Sequence, residues 1–85
     1  MPHVILPGLL SRHANGPRVD IDGPTARDTL QALERRYPAL RGWVLDEQGR
    51  VRAHVKLFVN GTEASLETNT SSNDELHIVP AISGG

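Results

Sequence analysis

A chain of 85 residues has room for one domain and one small core, since domains commonly run to about 100–150 residues. It has no cysteine and one residue each of Phe, Tyr and Trp. That excludes a disulfide scaffold, a thiolate metal site and a cysteine nucleophile, and leaves an aliphatic core. Nine Lys+Arg against ten Asp+Glu give a formal net charge of −1, without the basic excess of a nucleic-acid binder. No apolar run approaches the roughly 20 residues of a membrane span. The run over 4–10 is short, is broken by Pro7-Gly8 and has no basic flank, so it does not read as a signal peptide. A cytoplasmic protein is expected, with neither nucleic acid nor membrane as a partner.

In chain order, residues 3–10 predict a strand in which Pro7, having no N–H, must sit at a bulge or a free edge. After the turn signal Ala14-Asn15-Gly16-Pro17, the alternation of Arg18-Val19-Asp20-Ile21-Asp22 predicts a half-buried strand, and the two form an N-terminal hairpin. Residues 26–37 predict a helix. Thr25 is its N-cap with Asp28 three residues on, and Ala26, Leu30, Leu33 and Tyr37 make one apolar stripe. Arg35 and Arg36 suit the negative end of the dipole, and Pro38 stops the helix. Residues 51–59 hold a period of two throughout, with Val51, Ala53, Val55, Leu57 and Val59 on one face and Arg52, His54, Lys56 and Phe58 on the other. Trp43-Val44-Leu45 is expected to pair with this strand through residues 46–49, and Asn60-Gly61 to fold residues 62–66 back on it. A polar loop over 67–75 leads to a last strand, Leu76-His77-Ile78-Val79, ended by Pro80. The order β-β-α-β-β-β predicts an α+β fold, a mixed sheet packed on one main helix.

Motifs that carry chemistry are few. No phosphate-binding loop, dinucleotide fingerprint or nucleophile elbow occurs. The four histidines, His3, His13, His54 and His77, lack metal-ligand spacing, and no metal or bound cofactor is expected. Asp20 and Asp22 share a strand face and read as solvated. Charge is unevenly placed: the chain through Lys56 carries +3, and the remainder, with Glu63, Glu67, Asp74 and Glu75, carries −4. In a short chain that is either chance or an acidic region that docks on a basic surface. The sequence closes on Gly84-Gly85, a pair expected by chance in roughly 0.5% of chains at a glycine usage near 7%. It reads either as a frayed end or as a tail whose Gly85 α-carboxylate is the reactive group. Two residues without Cβ atoms can thread a narrow channel, and the stretch from Pro80 reaches about 20 Å when extended.

The ending Ile78-Val79-Pro80-Ala81-Ile82-Ser83-Gly84-Gly85 resembles that of the ubiquitin-like sulfur carriers of the ThiS/MoaD family. The helix from Thr25 to Tyr37, the Gly49-Arg50-Val51-Arg52 and Val55-Lys56-Leu57-Phe58-Val59-Asn60 segments, and Asp74-Glu75-Leu76-His77-Ile78-Val79-Pro80 match the family's pattern in order. The carrier of cysteine biosynthesis and the small subunit of molybdopterin synthase are the most similar in look. Thr70-Ser71-Ser72-Asn73 departs from the pattern, standing where an apolar residue and an Asp-Gly turn are usual.

The resemblance implies a β-grasp domain over residues 1–79 and a flexible Gly-Gly tail over 80–85. It implies a carrier rather than an enzyme. An E1-like adenylyltransferase/sulfurtransferase, using ATP and Mg²⁺, adenylates Gly85, with Gly84 beside it. The carboxylate becomes a thiocarboxylate, and a sulfur-accepting synthase takes the sulfur. The partner surface is expected on the polar-side strand face, with Phe58, Val79 and Ile82 as an apolar patch and Glu67, Asp74 and Glu75 supplying charge complementarity. Two other functions fit the same tail: a protein modifier that forms isopeptides through Gly85, and a β-grasp interaction module whose tail is inert. Cysteine, molybdopterin, thiazole, thiolated tRNA and other sulfur metabolites all fit as the carrier's pathway.

Overall fold

The computed structural model describes residues 1–80, so Ile82, Gly84 and Gly85 lie outside the described residues. Five strands form one mixed sheet: β1 (His3–Ile5), β2 (Arg18–Asp20), β3 (Val55–Val59), β4 (Thr62–Ala64) and β5 (Glu75–Pro80). Their spatial order is β2-β1-β5-β3-β4. β5 runs parallel to β1, with His3 opposite Glu75, and antiparallel to β3, with Val59 opposite Leu76. The last strand in sequence is therefore the middle of the sheet.

A short helix, α1 (Gly8–Ser11), and the main helix, α2 (Ala26–Arg36), complete the regular structure with a 3-10 turn at Pro38–Leu40. Strand residues Val4, Val19, Leu57, Leu76 and Ile78 point to one side of the sheet. There they meet Ala26, Leu30 and Leu33 of α2 and Leu40, Val44 and Leu45 beyond it in one aliphatic core. α2 starts as its sequence predicts. The Thr25 Oγ1 accepts from the Asp28 N–H at 3.2 Å and donates to the Asp28 carboxylate at 2.9 Å. Tyr37 has left helical geometry (φ −127°, ψ 81°) and is the C-cap residue, because Pro38 disfavours helical backbone in the residue before it.

Four predicted strands are shorter than the pattern implies; β2 stops at Asp20 rather than at residue 22, and β4 is also cut short. The first ends at Ile5, not at residue 10. β1 lies between β2 and β5, so it has no free edge for a proline. Pro7 instead caps α1, accepting from the Leu10 and Ser11 N–H groups at 2.9 Å each. The expected strand over 51–59 begins only at Val55. Among the described residues the ladder with β5 reaches the pair Val55–Pro80, and the Val55 N–H turns back to the Arg52 carbonyl at 3.0 Å. Residues 51–54 alternate in sequence but lack a partner strand, and Ala53 is exposed. The pairing expected for residues 43–45 survives as one bridge, Leu45 to Val51. It closes over Asp46, whose Oδ1 accepts from the Gln48 and Arg50 N–H groups at 2.8 and 2.9 Å.

The Asn60-Gly61 hairpin forms as predicted. Both residues have positive φ, 52° and 85°, as a two-residue turn of the right twist needs. Its fold-back strand is β4, three residues rather than five. The turn is tied to the start of β5. Asp74 accepts from the Asn60 side-chain amide and from the Ser71 N–H, both at 2.8 Å, and the Asn60 Oδ1 accepts from the Glu75 N–H at 2.9 Å.

The loop before β5 is polar yet partly interior. Thr70 is buried and donates to the Gly23 carbonyl at 2.6 Å, and the buried Thr29 hydroxyl reaches the same oxygen at 3.3 Å. The loop carbonyls of Thr68 and Leu66 accept from the Ala26 and Arg27 N–H groups, two donors that helix geometry leaves without an internal partner. Gly23 sits so close to α2 that a Cβ there would lie 2.5 Å from the Thr29 nitrogen.

Replacing Gly23 by Ala forces that backbone apart, and chemical denaturation should show a loss of about 1–3 kcal/mol. A second prediction concerns acid. The Ser71 N–H and the Asn60 amide favour the ionised Asp74 carboxyl and hold it below its ordinary 3.8. Its contribution is complete above that value and is lost as the pH falls through the lowered native one. Asp74→Ala should therefore melt below the parent at pH 7, and the gap in melting temperature should begin to narrow only as the pH falls below 3.8 and go on shrinking through the lowered native value.

Candidate functional site

Alternation along β5 sends Leu76 and Ile78 to the core and Glu75, His77 and Val79 to the opposite, helix-free face. Register then assembles that face. His77 stands between Ile5 of β1 and Phe58 of β3, and Phe58 is opposite Glu63 of β4. Lys56 is opposite Val79. Ile5, Phe58 and Val79 are half-buried and form the apolar middle of this open face.

Charged groups border it in pairs. Lys56 reaches Glu63 at 3.3 Å, His77 reaches Glu75 at 3.2 Å, and His3 Nδ1 lies 2.5 Å from Asp20 Oδ1. The hydrogen bond from His3 is the main reason that the Asp20 carboxyl lies below its ordinary value. Asp20 is thus partnered rather than merely solvated.

Of the residues expected at the partner surface, Phe58 and Val79 do share the open face, Val79 next to Pro80 and Phe58 farther back, opposite His77. Ile82, Gly84 and Gly85 lie outside the described residues. The three acidic residues do not gather round the tail root. Glu75 starts β5 and faces the open side; Asp74 is held in its loop by Asn60 and Ser71; Glu67 pairs with Arg27 at 3.6 Å beside the start of α2. Glu75 and Pro80 are separated by about 17 Å of strand.

The groups nearest the tail root are instead basic. Lys56 faces Val79 across the ladder, and Arg52 and His54 sit in the turn that leads into Val55, the partner of Pro80. The alternation Arg52, His54, Lys56 was visible in the sequence, but only the pairing of Val55 with Pro80 brings it beside the tail.

Among the described residues, no three His, Asp or Glu side chains are placed to hold a metal ion, and no helix is long and apolar enough to cross a membrane. An open sheet face and a strand that delivers the last residues to one end of it present a surface and a terminus.

Comparison with known proteins agrees with that arrangement. Residues 7–85 match the ThiS family. The chain is 41% identical over 69 residues to small archaeal modifier protein 1 of Haloferax volcanii, covering 80% of this chain and 79% of that one. A crystal structure of that protein superposes with a TM-score of 0.81 at 36% identity, covering 99% of this chain and 98% of the other. The CysO protein of Mycobacterium tuberculosis superposes with a TM-score of 0.86 at 25% identity, covering 96% and 100%. A chain of the BexX/CysO complex of Amycolatopsis orientalis, at 24% identity, shares the fold over the full length of both chains with a TM-score of 0.87. The mixed sheet and its helix are the ubiquitin-like β-grasp fold. By the match over residues 7–85, this chain belongs to the ThiS family, a family of small ubiquitin-like modifiers and sulfur carriers.

Proposed function

We propose that the chain is a sulfur carrier and a co-substrate rather than an enzyme, working in the cytoplasm with protein partners and not with nucleic acid or membrane. Gly85 is its reactive residue, Gly84 lets the end enter a narrow site, and the domain through residue 79 is the handle. The observation that carries this reading is the ThiS match, which runs through the Gly84-Gly85 ending.

The chemistry is supplied by partners. A carboxylate is a poor acyl electrophile, since its carbonyl carbon would have to expel an oxide. An E1-like enzyme with ATP and Mg²⁺ lets a Gly85 oxygen attack the α-phosphorus, and pyrophosphate leaves. A hydrosulfide-level donor then attacks the carbonyl carbon of the acyl-adenylate. The C–O bond breaks, AMP departs with its electron pair, and a proton is released. The resulting thiocarboxylate holds a nucleophilic sulfur for a sulfur-accepting synthase in cysteine, molybdopterin or other sulfur-metabolite synthesis. With no cysteine in the chain, the tail is where sulfur can be carried. Docking uses the open face, where Ile5, Phe58 and Val79 lie on the side of the sheet free of helices.

A second reading has a specific observation behind it. The relative at 41% identity is named a modifier protein, so Gly85 can equally be joined to a lysine amine of a target. Both routes begin with the adenylate and differ in the nucleophile that resolves it.

Top-down mass spectrometry of the chain incubated with the E1-like enzyme, ATP, Mg²⁺ and sulfide should place a single oxygen-to-sulfur exchange on Gly85, and a chain lacking Gly85 should show none. Conjugates of higher mass without that exchange would favour the modifier, and neither product, with partner binding intact after Gly85 removal, would leave an interaction module. In the same assay Phe58→Asp, checked for folding by circular dichroism, should slow formation of the modified Gly85 by about tenfold or more, as loss of a central apolar contact does at protein interfaces.

A further inference from the structure

The tail root has a second side. At the same end of β5 a groove of about 370 Å³ opens. Leu9 and Leu10 of α1 and Trp43 line it, together with Val55, Ile78 and Pro80 of the sheet. Ile78 and Pro80 alternate with Val79 along β5, so the groove lies on the opposite side of the strand from the Phe58–Val79 patch. Most of the core's apolar side chains are sealed, but Leu9 and Trp43 remain 61% and 42% exposed. Leu9 sits on the α1 turn whose backbone is capped by the Pro7 carbonyl. The Trp43 ring stacks on His13 with centroids 5.4 Å apart, and the Arg52 guanidinium donates to the carbonyl of the neighbouring Gly42. Arg52 and His54 are the ionisable residues lining the groove, and among its described lining residues none carries a carboxylate.

We propose that this groove receives an apolar side chain flanked by a carboxylate on the enzyme that acts on Gly85, so that the enzyme grips the tail root from both sides of β5. The inference rests on the carrier reading. The path of the chain selects the occupant. Pro80 lines the groove and four residues separate it from Gly85, a span of at most about 20 Å. An enzyme whose reacting groups are at Gly85 therefore works within reach of the groove. Charge selects its chemistry: Arg52 and His54 complement a carboxylate, whereas a second copy of this chain would bring the same basic rim against itself.

Trp43 is the chain's sole tryptophan, so 5-fluorotryptophan incorporated into this chain alone gives one ¹⁹F resonance that reports on the groove. On adding the unlabelled E1-like enzyme of the same organism with ATP and Mg²⁺, that resonance should shift or broaden, and it should do so with the Gly85-deleted chain as well. Leu9→Glu places a carboxylate where the partner's is expected, at an exposed position that should leave the melting temperature unchanged. Adenylation of that variant should show a KM for the chain raised about tenfold or more, with kcat retained. A resonance that stays in place while Gly85 is adenylated, or Leu9→Glu turning over with an unchanged KM, overturns the proposal. A resonance that shifts with the chain's own concentration and no enzyme makes a second copy the occupant and also overturns it. A shift on adding enzyme without any adenylation supports the groove and removes the carrier reading; no shift and no adenylation removes both.

Discussion

The sheet is held together by its last strand. β5 pairs with β1 on one side and β3 on the other, so the β1–β2 and β3–β4 pairs join only through it. Its backbone groups find partners on both sides, and Leu76 and Ile78 are buried against the helix side of the same strand. The pairing of His3 with Glu75 links nearly the two ends of the chain, a contact of high sequence separation that closes a long loop. Both ends of β5 are pinned. Asn60 and Asp74 fix its start, and Pro80 opposite Val55 is the final rung. The position from which the tail departs is thereby set by the most constrained part of the domain.

Local signals were legible wherever local chemistry decides. The Thr25 cap, the α2 stripe and the Asn60-Gly61 turn depend on neighbours within a few residues, and all three form as the sequence predicts. Strand lengths are decided by what lies alongside, which a single sequence does not display. Residues 51–54 have the same alternation as 55–59, and the difference is the turn, closed by the Val55 N–H on the Arg52 carbonyl, that takes them out of the strand. Residues 6–10 looked like more of β1 until its central place in the sheet left nowhere for Pro7. Thr70 hid for another reason. In a run of Ser, Thr and Asn nothing marks the one hydroxyl that is buried on the Gly23 carbonyl. Its burial is satisfied by hydrogen bonds, shared with Thr29 on one carbonyl, rather than by an apolar side chain.

The candidate site divides in the same way. Phe58 and Val79, expected together from the resemblance, lie on one sheet face, as the alternation of β3 and β5 places them. Glu67, Asp74 and Glu75, expected to supply charge complementarity, have different settings: Glu75 faces the open side, Asp74 braces a loop and Glu67 pairs with Arg27. Residues that were distant, Arg52 to Lys56 and Pro80, end as neighbours. The tail root therefore leaves the domain through a basic neighbourhood, with an apolar surface on either side of β5.

The parallel pairing of β1 with β5 also sets the polarity of the whole molecule. Residue 3 is level with residue 75 and residue 5 with residue 77, so Met1 is at the Asp74 end of the sheet and the tail leaves from the other. A bead, dye or fusion partner joined ahead of Met1 thus projects away from the Pro80 end and shades neither the open face near Val79 nor the groove at Pro80. The domain has in effect a back by which it can be tethered while its front goes on being handled.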